Sequence, residues 1–126
     1  MDPRTDARPP IDAIGEELAT WGKVAILETR GRSTGRRARA AVGFIEADDD
    51  AILVAAGDPD VDWALNLEVN PRCRVSIGDR SWDAVAEPLD RALAAAAVAA
   101  LILRYGTPAE RLGRGPAFRL VPAPAA

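Results

Sequence analysis

Histidine is absent from these 126 residues, and Cys73 is the only cysteine. Without imidazole a Ser-His-Asp triad is excluded, and one thiol alone cannot build a zinc site, so no metal is expected. An internal disulfide is excluded too, and a lone thiol fits a reducing compartment such as the cytoplasm. Aromatic residues make up only 5% of the chain, and Lys23 is its single lysine. The longest unbroken apolar run, Ala92 to Leu103, has twelve residues, whereas a bilayer span takes about 20. Met1 to Pro10 is charged and proline-rich, and no apolar stretch of a secretory signal follows it. Any catalysis must work without imidazole, which favours a cofactor over acid–base side chains.

What is present is a local concentration of positive charge. The chain carries a net charge of −3, yet five of its sixteen basic residues lie between Glu28 and Arg39. They surround Gly31, Ser33, Thr34 and Gly35. Glycines allow a tight turn and a close approach of backbone to ligand. Amide N–H groups, hydroxyls and guanidinium forks are the donors that a phosphate requires. A solvated loop is the plain alternative. The pairing of glycines and hydroxyls favours an anion site, and the acidic net charge with few aromatics argues against nucleic acid.

One domain with one core is expected, over residues 11–122, with tails at 1–10 and 123–126. Ile11, Ile14, Leu18 and Trp21 recur at helical spacing before Gly22. Strands are expected at Val24 to Thr29, Arg36 to Glu46 and Ala51 to Ala56, with Ala47 to Asp50 as a hairpin loop. Val61, Leu65 and Val69 mark the face of a short helix that ends before Asn70-Pro71. Arg72 to Ile77 and Ser81 to Glu87 flank Gly78-Asp79, a two-residue hairpin signal. Asp90 caps a helix of about 15 residues that Gly106 ends, and Ala117 to Val121 is the sixth strand. The order predicts an α+β fold whose six mainly antiparallel strands can curl into a small barrel with flanking helices.

Several pieces then resemble one family in order and spacing. They are Thr29-Arg30-Gly31-Arg32-Ser33-Thr34-Gly35, Val54-Ala55-Ala56-Gly57, Asp62-Trp63-Ala64-Leu65-Asn66-Leu67 and Asn70-Pro71-Arg72-Cys73-Arg74-Val75. Gly113 to Leu120 extends the likeness, which spans about residues 23–122. The chain resembles the deazaflavin-dependent nitroreductase and quinone reductase family, whose members share a split β-barrel similar to that of flavin-mononucleotide-binding proteins.

The resemblance implies a homodimer that binds the deazaflavin coenzyme F-420 and passes a hydride to a small-molecule acceptor: a quinone, a nitro compound or an activated enone. It places the phosphate end on Arg32, Ser33, Thr34, Gly35, Arg36 and Arg37, with Arg39, Ala41 and Val42 on the following strand. It places the ring near Val54, Ala55, Ala56, Gly57, Trp63 and Asn66. Tyr105 is a candidate substrate contact, and no side chain is assigned as a certain catalyst. Cys73 is read as a small buried thiol with no role in catalysis. Two departures stand out: Ser33 replaces a common lysine, and Ala38 stands where an arginine is usual. A non-catalytic deazaflavin-sequestering protein and a flavin mononucleotide (FMN) protein are the alternatives.

Overall fold

A computed structural model describes residues 13–106 and 115–124, so the expected N-terminal tail and the start of the first helix lie outside it. Three α-helices and seven strands follow in chain order among the described residues, with one 3-10 turn at Asp48–Asp50. They are α1 (Ala13–Thr20), β1 (Ala25–Arg30), β2 (Arg37–Val42), β3 (Ile45–Glu46), β4 (Ile52–Ala55), α2 (Asp62–Val69), β5 (Arg72–Ile77), β6 (Arg80–Pro88), α3 (Arg91–Tyr105) and β7 (Ala117–Pro122).

The strands form one seven-stranded sheet in the order β2-β1-β5-β6-β7-β4-β3, antiparallel throughout. The expected long strand over 36–46 is therefore two strands, and the count is seven rather than six. Gly43 and Phe44 interrupt it and carry the chain from one edge of the sheet to the other. Two residues span only about 7 Å, so the edges must meet there and the sheet must curl. The result is an α+β split barrel.

Side chains alternate across each strand, as a pleat requires. Leu27 and Thr29 on β1, Cys73, Val75 and Ile77 on β5, and Ala84 and Ala86 on β6 are all buried. With Phe118 and Leu120 of β7 they line the interior. The neighbouring positions Glu28, Arg74 and Asp83 stand in register on the outer face. Burial pushes the Cys73 thiol up to about 12, with the Asp83 carboxylate adding to the shift. A thiol so protected is a poor nucleophile.

Helix α3 follows its expected signals: the Asp90 carboxylate accepts the Leu93 N–H at 2.8 Å, and Gly106 ends it. It packs Leu101 against Ala55 and Ala117, outside the barrel. Two other helices differ from expectation. On α1 Ile14 is 72% exposed, and Trp21 just past its end is 64% exposed, while Gly15 and Ala19 turn inward. In α2, Val69 is 67% exposed, and the buried face is Trp63, Ala64, Asn66 and Leu67. The larger indole takes the core position, and it meets Phe118 edge-on with ring centroids 6.1 Å apart.

The corner between β2 and β3 is pinned by Tyr105. Its hydroxyl donates to the Lys23 carbonyl at 2.7 Å and accepts the Phe44 N–H at 3.1 Å. The ring crowds residue 43: a Cβ on Gly43 would lie 3.0 Å from Tyr105 Cε2, so any larger residue would press on the tyrosine. Tyr105→Phe is therefore expected to cost about 1 kcal/mol of stability, the worth of the hydrogen bonds that its hydroxyl makes to Lys23 and Phe44. Urea denaturation checks this, and an unchanged midpoint would remove the tyrosine from this role. Cys73 is expected to resist a disulfide reagent at pH 8 in the folded protein and to react fully in denaturant.

Candidate functional site

The loop between β1 and β2 is a closed turn. Gly31 N–H donates to the Arg36 carbonyl at 2.7 Å, and Gly35 N–H donates to the Gly31 carbonyl at 2.9 Å. The Arg36 N–H donates to Thr34 Oγ1 at 3.1 Å. A Cβ on residue 31 would stand 2.9 Å from the Arg36 carbonyl oxygen, so the turn admits glycine only. Ser33 and Thr34 are exposed at its tip, and their N–H groups donate to no described residue. Arg36 is exposed beside them.

Arg32 leaves this loop toward α2. Its backbone N–H and its guanidinium both donate to Asn66 Oδ1, at 3.1 and 2.9 Å. A second guanidinium nitrogen reaches Asp62 Oδ1 at 3.2 Å. Asn66 is buried, and its Nδ2 donates to Thr29 Oγ1 at 3.1 Å. Asp62 and Asn66 are four apart, so one helical face presents both to Arg32. Thr29 and Asp62 stand at the head of two sequence motifs but carry no assigned role in the sequence reading. Their signals were a polar residue at an inward-facing strand position and an acid one turn before the asparagine.

The pairing pattern puts the end of β4 beside this assembly. Strands β1 and β4 run in the same direction, and the residues after β4 lead straight into Asp62. Val54, Ala55 and Ala56 are buried there, and Ala56 N–H is bonded to the Pro116 carbonyl at 2.9 Å. At Gly57 a Cβ would meet nothing within 4 Å, which leaves open space for a neighbour. Strand β3 pairs with Ile52 and Leu53 only. The β4 edge at Val54 and Ala55 is thus open opposite β7, as is the outer edge of β2. Gly43 and Phe44 join these two edges at the end of β2 away from the Arg32 loop.

Other expected site residues are placed elsewhere. Arg37 pairs with Glu28 at 3.0 Å on the outer face of the sheet, and Arg39 lies opposite Glu28 on the same side. Ala41 is exposed on that side too, whereas Val42 points into the core. The usual arginine position, Ala38, faces inward beside Thr29, so Arg39 does not replace it. Trp63 is a core residue, 8% exposed, and meets Phe118 edge-on. Tyr105, the expected substrate contact, sits at the opposite end with its hydroxyl committed to the backbone.

Two grooves accompany this framework. One of about 830 Å³ crosses the outer face of β1, β5 and β6 and is lined by Arg30, Arg37, Arg72 and Arg74 with Glu28 and Asp83. Another of about 340 Å³ opens at the far mouth of the barrel, between Phe44, Ile52, Ile77 and Trp82. The donors at the loop tip suit a phosphate group: two backbone N–H groups, the Ser33 hydroxyl and the Arg36 guanidinium, beside a half-engaged Arg32.

The profile of the F420H(2)-dependent quinone reductase family matches residues 6–106. Among curated proteins, none matches the chain. Among solved structures, HutZ, the heme storage protein from Vibrio cholerae, is similar with a TM-score of 0.69 at 24% identity, over 87% of this chain and 88% of that one. An F420-H2 dependent reductase, FDR-A, is similar with a TM-score of 0.66 at 21% identity, over 78% of this chain and 93% of the other. A third structure, described as a domain-swapped dimer, has a TM-score of 0.65 at 20% identity, over 83% and 92%. Likeness at such identities speaks for the fold alone. The profile match covers most of the chain and reaches through the Arg32 loop, β4, α2 and α3. The chain belongs to the F420H(2)-dependent quinone reductase family, and it is an oxidoreductase whose cofactor is F-420.

Proposed function

We propose that the protein passes a hydride from reduced F-420 to a quinone, with nitro compounds and activated enones as further acceptors. The phosphate end would lie on the 31–36 loop, and the ring beyond the end of β4 near Gly57. When bound, reduced F-420 supplies the hydride from its deazaflavin carbon C5. The chain's own task is to bind, orient and exclude water, which can account for much of the rate without any acid–base side chain.

The observation that carries this reading is the supply of unengaged donors at one end of the barrel. Arg32 uses two of its five guanidinium N–H groups on Asn66 and Asp62, which leaves three for an anion. Ser33, Thr34 and Arg36 stand exposed next to it. Positive potential at this loop would also speed capture of a polyanionic glutamate tail. Arg30, Arg37 and Arg72 on the adjoining outer face extend the same sign of charge along a direction that tail could follow.

A homodimer is part of the proposal. Leu93 and Leu103 on α3 are 55% and 89% exposed, and a helix apolar on more than one side calls for cover. The structurally similar domain-swapped dimer supports the same reading. No helix among the described residues is long and apolar enough to cross a membrane. A cytoplasmic location agrees with the single reduced thiol.

Titration with F-420, followed by its own fluorescence, and reduction of menadione by the reduced cofactor test the reading. Saturable binding with turnover is expected. Binding without reduction of menadione or a nitroaromatic would leave a carrier, and binding of FMN alone would overturn the cofactor placement. Replacing Arg32 and Arg36 together by alanine is expected to weaken F-420 affinity by up to several kcal/mol, at about 1.5–3 kcal/mol per charged hydrogen bond. The loss should shrink as salt rises. A folded double variant with undiminished affinity would remove the phosphate from this loop.

A further inference from the structure

Asn66 is a ring contact in the family reading, yet its bonds point elsewhere. Its carbonyl oxygen has two lone pairs, and both are taken by Arg32, one through the backbone N–H and one through the guanidinium. Its amide nitrogen donates to Thr29 Oγ1, which fixes which end of the carboxamide faces the arginine. The residue is only 3% exposed. A group so enclosed has no lone pair left for a ring, and one of its two amide N–H groups is already committed to Thr29. It does hold both the main chain and the charged tip of Arg32 with a single atom.

We propose that Asn66 is a positioning residue of the anion site, acting on the phosphate end of the cofactor through Arg32 rather than on its ring. The inference rests on the placement of that phosphate at the 31–36 loop. Its physical content is twofold. First, the Thr29–Asn66–Arg32 chain of hydrogen bonds lowers the number of arrangements available to a long, flexible guanidinium before the anion arrives, so less freedom is lost on binding. Second, a carboxamide is neutral. It orients Arg32 without cancelling the charge, whereas a carboxylate at residue 66 would hold the arginine just as firmly and quench it. Asp62 already contributes one carboxylate at 3.2 Å, but that side chain is 84% exposed and its field is weakened by solvent.

Two ligands separate an effect on the phosphate from an effect on the ring: F-420 itself, and 8-hydroxy-5-deazariboflavin, the same chromophore without phosphate or glutamates. In the wild-type protein, Asn66→Ala is expected to weaken F-420 binding about tenfold, a value within the range for directly coupled neighbours. Binding of the phosphate-free chromophore should stay within about twofold. In an Arg32→Ala background, Asn66→Ala should cost no more than about twofold for either ligand, because the residue it positions is gone. Losses that persist in that background, or that appear equally with both ligands, would overturn the inference and restore a ring contact. Should R32A leave F-420 affinity unchanged, the phosphate placement itself fails and this inference with it.

Asn66→Asp keeps the volume and guards against a variant that does not fold, as judged by its circular dichroism. It is expected to weaken F-420 at least as much as N66A and to spare the phosphate-free ligand. Undiminished F-420 affinity in folded N66D would count against the proposal.

Discussion

The chain passes from one edge of its sheet to the other through Gly43 and Phe44, and the rest of the structure follows from that step. Strands β2 and β3 are neighbours in sequence but sit at opposite ends of the strand order. Only a curled sheet can satisfy both. Tyr105 reaches back from the end of α3 to hold the corner, donating to Lys23 and accepting from Phe44. The glycine lets the tyrosine ring pack close to the chain there, since a Cβ would come within 3.0 Å of it. At the other end of β2 the arginine loop meets α2 through Arg32, Asp62 and Asn66.

At that end, a polar link crosses between the two halves of the barrel. Thr29 belongs to β1 and Arg32 to the loop that follows it, while Asp62 and Asn66 belong to a helix that begins just after β4. The buried Asn66 amide is bonded on both sides, so its burial carries no orphaned group and the link is stable rather than costly. The same link sets Arg32 apart from the other arginines of its segment. Five basic residues close in sequence are split by the hairpin geometry: Arg32 turns to α2, Arg36 stays at the tip, and Arg30, Arg37 and Arg39 lie on the outer face.

Much of this was legible in advance. The Gly78-Asp79 turn, the Asp90 cap and Gly106 stop are local signals, and each depends on the chemistry of one or two residues. Strand positions followed from alternation. The failures share one cause, which is that periodicity counts apolar residues without knowing how far each must reach. In α1 the spacing of Ile14, Leu18 and Trp21 predicted a buried stripe, yet close packing against the sheet selects small Gly15 and Ala19. In α2 a stripe of Val61, Leu65 and Val69 lost to one through Trp63 and Leu67, because a large indole buries far more surface than a valine. The break at Gly43 was hidden inside a run that reads as one strand, since the corner is made by a tyrosine some sixty residues away.

The sequence alone determined the class of chemistry. An absence of histidine, a single thiol, and arginines gathered around two glycines and two hydroxyls leave a cofactor with an anionic end as the consistent reading, because those features are properties of residue types. The spacing of its motifs determined the family as well. Which of the arginines faces α2, what the asparagine holds, and that the tyrosine belongs to a corner were decided only in three dimensions. Hydrogen bonds are directional and short, so a partner thirty to eighty positions away is chosen by the curl of the sheet and not by anything written beside it in the chain.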